Sequence, residues 1–165
     1  AAATKSPLRL PMLLRTIGRA TGMPHGIVAG QAWECEPRVS LADYQRAKTG
    51  SLFAAATIAG AQAAGADSAP WRALGEWLGE AYQVADDIRD VASDPLSLGK
   101  PTGQDVALCR PSAARELGLE GAIHHFDRLV AAAIEAIPPC PGAVQFEAER
   151  LVPKAMAEEV VRVAA

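Results

Sequence analysis

The sequence lacks the features that mark nucleic-acid-binding, membrane-spanning and disulfide-stabilised proteins. Its net charge of -3 provides no basic surface for a phosphate backbone. No apolar run approaches the ~18 residues that a membrane-spanning helix needs, so we predict no transmembrane segment. Cys35, Cys109 and Cys140 are too widely spaced for a zinc site, and their odd number argues against a disulfide framework. These absences favour a cytoplasmic protein with reduced thiols and no nucleic-acid partner.

Alternating β-branched residues are also scarce, whereas alanine is abundant and apolar residues recur at helical spacing. Ser40 is a predicted N-cap, and Gly50 is predicted to interrupt the helix that follows. Small residues after Gly50, such as Ala54, predict close packing against another helix. Helices are predicted at 8–22, 24–36, 40–65, 71–91, 110–118, 118–137 and 143–163, with a loop at 93–105. The sequence therefore predicts one all-α domain over residues 1–165.

The stretch YQVADDIRD places several polar side chains on one face of a predicted helix. Gln83, Asp86, Asp87 and Asp90 fall within roughly 100° of arc. Like charges this close destabilise a helix by ~0.2–0.5 kcal/mol per pair. Two arrangements would offset that cost. One is a solvated acidic face balanced by Arg89, and the other is a bound divalent cation. Clustered carboxylate oxygens suit Mg²⁺, which also takes phosphate ligands.

Two lysines extend the second interpretation. Lys48 directly precedes Thr49 and Gly50 in the interrupted helix, and Lys100 lies in the loop after the aspartates. A lysine is a compact positive charge that pairs well with phosphate. Each lysine alone also fits a solvated surface residue. Taken with the aspartates, the two lysines predict a receptor for a diphosphate.

Four motifs, taken in order, resemble those of the all-trans polyprenyl diphosphate synthases, and look closest to bacterial geranylgeranyl diphosphate synthases. GIVAGQAWE is similar to the Gly-Gln segment of that family, with Gly30 and Gln31. KTGSLF is similar to its Lys-Thr-Gly motif. YQVADDIRD is similar to its second aspartate-rich motif, DDxxD, and GKPTGQD to the Gly-Lys-x-x-x-Asp loop that follows. The order of the four motifs makes the resemblance specific.

The resemblance implies a fold and a reaction. The implied fold is a helical bundle of the isoprenoid synthase type around an apolar cavity. The implied activity is that of a prenyltransferase, a Mg²⁺-dependent head-to-tail transfer from an allylic prenyl diphosphate to isopentenyl diphosphate. Asp86, Asp87 and Asp90 would bind the Mg²⁺.

The resemblance also implies roles for individual residues around the substrates. Lys48 and Lys100 would hold the allylic diphosphate, and Gln31 would contribute to substrate binding. Thr49 and Gln83 would lie beside the reacting carbons, where a hydroxyl and an amide dipole stabilise developing positive charge. Lys48, Thr49, Gln83 and Lys100 are thus the predicted catalytic residues.

The sequence departs from the family pattern in its earlier part. It contains no first aspartate-rich motif with paired arginines and no Gly-Lys-Arg segment before Asp86. We therefore expect a C-terminal part of the bundle that lacks the N-terminal helices. We expect this part to be inactive alone. It would be either a fragment of a full synthase or a chain that a partner completes. A homodimer or a partner synthase chain is predicted. The alternative function is a noncatalytic synthase-like subunit that modulates a complete prenyltransferase. A terpene cyclase ranks last, because its second metal motif mixes other residue types.

Overall fold

A computed structural model describes residues 6–33, 35–36, 38–92 and 112–140, and every regular element in these ranges is helical. The prediction of an all-α fold is confirmed. The elements are α1 (Leu10–Thr21), α2 (Ile27–Trp33), α3 (Leu41–Gln45), α4 (Ser51–Ala64), α5 (Trp71–Ala92) and α6 (Ala113–Glu135). A 3-10 turn, Pro7–Arg9, precedes α1, and a π-helical turn, Arg46–Gly50, joins α3 to α4. In these ranges, no helix has the length and apolar character to span a membrane.

Local sequence signals set several of the helix boundaries. The Ser40 hydroxyl accepts a hydrogen bond from the backbone N–H of Asp43 (3.3 Å), which confirms the predicted N-cap of α3. Gly50 ends the π-helical turn where an interruption was predicted. Gly65 ends α4 in the left-handed conformation, at φ 78°. Gly118, at φ 72°, breaks α6 where the sequence predicted two helices to meet. The predicted loop at 93–105 and the helix at 143–163 lie outside the described residues.

The longer helices pack side by side in the order α1, α4, α5 and α6, and α2 packs against the π-helical turn. The main apolar core lies between α5 and α6. Its buried side chains are Ala81, Val84, Ala85 and Ile88 from α5, and Ala113, Ala114, Ala122, Phe126 and Leu129 from α6. This core fixes one side of α5, the helix that carries the aspartates.

Small residues let the backbones of α4 and α5 touch on the other side of α5. A Cβ added at Gly79 would lie 2.5 Å from the Cα of Gly50, and one added at Gly75 would overlap the Cα of Ala54. The hydroxyl of Thr57 donates to the carbonyl oxygen of Trp71 (2.8 Å) at the end of the same contact. Close packing at Ala54 confirms the prediction from the small residues. The contact sets the distance between α5 and the π-helical turn.

We expect Gly79→Ala to lower the free energy of unfolding by about 1–3 kcal/mol, because the new methyl group overpacks the contact with Gly50. This loss would occur although alanine favours a helix interior by about 1 kcal/mol over glycine. Gly60→Ala is the matched control, since a Cβ at Gly60 meets nothing within 4 Å. The control should raise the free energy of unfolding by up to about 1 kcal/mol. Urea unfolding of both variants measures the difference, and equal stabilisation by the two substitutions would contradict the close contact.

Candidate functional site

The π-helical turn positions Lys48 and Thr49, and Gly30 of α2 holds this turn in place. A Cβ at Gly30 would lie 2.5 Å from the Cα of Lys48 and 2.8 Å from its Cβ. Glycine therefore lets the backbones of α2 and the turn meet at Lys48. Single turns of π-helix are rare and occur frequently at functional sites. The contact brings together two motifs that the sequence analysis found separately.

Two successive hydrogen bonds connect the π-helical turn to Asp87 of α5 through Gln83. The hydroxyl of Thr49 donates to Oε1 of Gln83 (2.9 Å), and Nε2 of Gln83 donates to Oδ1 of Asp87 (3.0 Å). Gln83 is buried. Because its amide nitrogen donates to a carboxylate, its amide oxygen must face Thr49. The orientation of the Gln83 amide is thus fixed from both ends.

Asp87 is the point where three helical segments meet. Its side chain is 1% exposed, and its Oδ2 accepts from the backbone N–H of Ala113 (2.7 Å) and from Nε2 of Gln45 (3.3 Å). Burial of a carboxylate is costly unless donors surround it. Here the donors come from α3, from Gln83 on α5, and from the positive N-terminal end of α6. Asp87 therefore stabilises the arrangement of these helices.

Lys48 contacts a tyrosine that the sequence analysis did not single out. Its Nζ donates to Oη of Tyr44 (2.6 Å) and lies 5.0 Å from the centroid of the Tyr44 ring. Tyr44 is 2% exposed, whereas Lys48 is half-buried. The spacing of four residues is the sequence signal that would have indicated this pair.

The other predicted site residues occupy different environments. Asp90 is buried at 5% exposure, Asp86 is half-buried, and Gln31 is exposed on α2. Lys100 lies outside the described residues. Within the described part of the chain, no three histidine, cysteine, aspartate or glutamate side chains form a group that could hold a metal ion.

The three aspartates differ in their exposure and in the hydrogen bonds that they accept. Both oxygens of Asp87 already accept hydrogen bonds from protein donors. Asp86 and Asp90 supply further carboxylate oxygens on the same helix, and hard oxygen ligands of this kind suit Mg²⁺. Asp86 is the most exposed of the three. The assignment of all three as metal ligands stays a prediction.

A separate cavity of about 860 Å³ lies between α1, α4 and the start of α5. Its lining includes four arginines, namely Arg15, Arg19, Arg46 and Arg72. None of the predicted site residues that the structure describes lines it. The predicted site is therefore a junction of helices and not this cavity.

The comparison with known families supports the motif assignments. A model described as Polyprenyl synthetase matches residues 8–141 of the chain. This chain belongs to the polyprenyl synthetase family. The resemblance proposed from the four motifs is confirmed at the level of the family.

Individual relatives agree with this membership. The chain is 48% identical over 165 residues to the geranylgeranyl diphosphate synthase of Cereibacter sphaeroides, covering 96% of this chain and 57% of that protein. It is 48% identical over 141 residues to the geranylgeranyl diphosphate synthase of Rhodobacter capsulatus, covering 86% of this chain and 49% of that protein. The chain thus spans about half the length of the curated relatives that it matches.

A solved structure shows the fold. The geranyltransferase of Helicobacter pylori, complexed with magnesium and isoprenyl diphosphate, aligns with a TM-score of 0.71 and 24% sequence identity. The alignment covers 98% of this chain and 54% of that chain. The prediction of a helical bundle of the isoprenoid synthase type is confirmed.

We expect Asp87→Ala to lower the free energy of unfolding by about 2–4 kcal/mol, because it leaves three buried donors without their acceptor. The neighbouring substitution Asp86→Ala is the control and should cost less than about 1 kcal/mol, since a half-buried carboxylate remains accessible to water. Urea unfolding in the absence of Mg²⁺ measures both values. Equal losses for the two variants would show that Asp87 has no special structural role.

Proposed function

We propose that the chain is the part of a geranylgeranyl-type polyprenyl diphosphate synthase that binds and activates the allylic diphosphate. The proposed reaction is a head-to-tail transfer of the prenyl group to isopentenyl diphosphate. The observation that carries the proposal is the hydrogen-bonded line from Thr49 through Gln83 to Asp87. It joins the Lys-Thr-Gly motif to the aspartate-rich motif, which lie in separate parts of the sequence.

In this proposal, the positive charges and the aspartates act on the diphosphate. Lys48 pairs with the diphosphate oxygens as a compact charge. Asp86, Asp87 and Asp90, near the C-terminal end of α5, are the residues that would hold Mg²⁺. When bound, Mg²⁺ supplies positive charge that stabilises the departing diphosphate.

Thr49 and Gln83 act on the prenyl chain. Loss of the diphosphate leaves positive charge on the allylic carbon, and oxygen atoms with fixed orientation stabilise such charge. The Thr49 hydroxyl donates its proton to Gln83, so the lone pairs of the hydroxyl oxygen are directed away from the hydrogen bond. Asp87 holds the amide of Gln83 in the matching orientation. These groups need no rearrangement when charge develops.

Further parts of the proposal concern the rest of the chain and its partners. We include Lys100 in diphosphate binding and Gln31 in substrate binding, as the motifs suggest.

A homodimer or a partner synthase chain in the cytoplasm is also proposed. The exposed apolar side chains Leu8, Leu14 and Ile17, which lie near or on α1, support an association surface.

We expect the chain to bind farnesyl diphosphate in a Mg²⁺-dependent manner, and Asp86→Asn to weaken this binding by about 10-fold or more, because the variant removes one anionic metal ligand. Asp43→Asn makes the same change of charge on α3, where Asp43 pairs with Arg46 on the surface, and should leave binding unchanged. Isothermal titration calorimetry with Mg²⁺ or with EDTA measures the effect. Equal affinity in Mg²⁺ and EDTA would exclude the proposed role of the aspartates.

A turnover assay separates the proposed enzyme from the alternative, a noncatalytic subunit. The chain is incubated with farnesyl diphosphate, isopentenyl diphosphate and Mg²⁺, and the prenyl products are measured by mass spectrometry. For the proposed part of a synthase, we expect no extension by the chain alone and no change in the products of an added complete synthase. Extension by the chain alone would contradict the expectation that it is not active by itself. Mg²⁺-dependent binding without extension, together with a change in the products of an added complete synthase, would instead identify a subunit.

A further inference from the structure

We propose that Tyr44 is a positioning residue that fixes the ammonium group of Lys48 for binding a diphosphate. The proposal rests on the diphosphate-binding role proposed above for Lys48. Its evidence is the 2.6 Å hydrogen bond from Lys48 Nζ to Tyr44 Oη, with Nζ also 5.0 Å from the ring centroid. Tyr44 belongs to none of the four motifs.

The burial of Tyr44 makes this hydrogen bond structurally important. Tyr44 is among the largest fully buried side chains of the described residues, at 2% exposure. Loss of a hydrogen bond at a buried phenol oxygen is unfavourable, because water cannot readily replace the lost donor. Lysine can only donate, so the tyrosine oxygen is the acceptor. The ring is held by its surroundings, and the mobile partner that becomes ordered is Lys48.

Ordering Lys48 before a ligand arrives favours anion binding. A lysine side chain has many rotamers, and a ligand that immobilises the ammonium group must otherwise overcome this conformational entropy. Tyrosine is a neutral acceptor, so the hydrogen bond to its hydroxyl does not itself neutralise the ammonium group. An aspartate or glutamate at this position would neutralise the charge that a diphosphate needs.

The two ends of Lys48 are fixed by different helices. Gly30 of α2 packs against its Cα, and Tyr44 of α3 holds its Nζ. The next residue, Gln45, is also 2% exposed and donates to Asp87. The consecutive residues Tyr44 and Gln45 therefore orient one group of the Lys-Thr-Gly motif and one group of the aspartate-rich motif.

A double-mutant cycle tests the proposal. Affinity for inorganic pyrophosphate with Mg²⁺ is measured by calorimetry for the unmodified chain, Tyr44→Phe, Lys48→Ala and the double variant. Phenylalanine keeps the ring and its packing and removes the hydroxyl. We expect Tyr44→Phe to weaken binding about 3- to 10-fold, the range of one intramolecular hydrogen bond. In the Lys48→Ala background, we expect the same substitution to have no further effect.

The outcomes separate this proposal from the one on which it rests. Unchanged affinity in Tyr44→Phe, or an equal loss with and without Lys48, would overturn the positioning role. Unchanged affinity in Lys48→Ala would overturn both proposals. A loss in Lys48→Ala together with none in Tyr44→Phe would remove only the role of Tyr44.

A control and a second readout exclude a general loss of stability. Thr16→Val removes another side-chain hydrogen bond, from Thr16 of α1 to Gln62 of α4 (3.0 Å), and should leave pyrophosphate affinity unchanged. In the unmodified chain, NMR of the lysine ammonium groups should show Lys48 as ordered, with its signal assigned by its absence in Lys48→Ala. A Lys48 ammonium group as mobile as that of an exposed lysine would also overturn the proposal.

Discussion

The backbone contact between α4 and α5 is the constraint on which the candidate site depends. Gly75 and Gly79 of α5 lie against the backbone of α4 and of the π-helical turn. Gln83 and Asp87 follow at the same four-residue spacing, so the four residues form one ridge along α5. The first half of this ridge brings the two helices together, and the second half carries the polar groups. A threonine can reach Gln83 because the backbones are already in contact.

The ridge ends at Asp87. Small residues hold neighbouring helices together at the other end of the ridge, and here the carboxylate does so through hydrogen bonds. Apolar packing cannot hold the N-terminus of α6, whose first N–H groups need acceptors. Asp87 supplies one to Ala113 and at the same time accepts from Gln45 and Gln83. Neighbouring aspartates in one motif therefore differ in environment: Asp87 is buried among protein donors, while Asp86 is more accessible. Through its hydrogen bond to Gln83, Asp87 helps to keep Gln83 in contact with Thr49.

The sequence predicted those features that depend on near neighbours along the chain. The cap at Ser40, the interruption at Gly50 and the boundary at Gly118 follow from residue type and local backbone preference. The motifs gave the family and most of the candidate site residues. A helical wheel, however, places Asp86 and Asp87 on the same face and cannot tell which one faces a neighbouring helix. That difference depends on packing between distant segments.

Gln45 and the backbone of Ala113 were missed for physical reasons. Gln45 meets Asp87 across 42 positions, and Ala113 contributes a backbone N–H, a group that every residue except proline carries. Glycines inside α5 each cost about 1 kcal/mol relative to alanine when judged as helix residues alone. Their value lies in the approach of α4, which no local propensity records. Stability and site geometry thus depend on the same contact. A shift of α5 that makes room for a side chain at position 79 also separates Thr49 from Gln83, which lies one helical turn after Gly79.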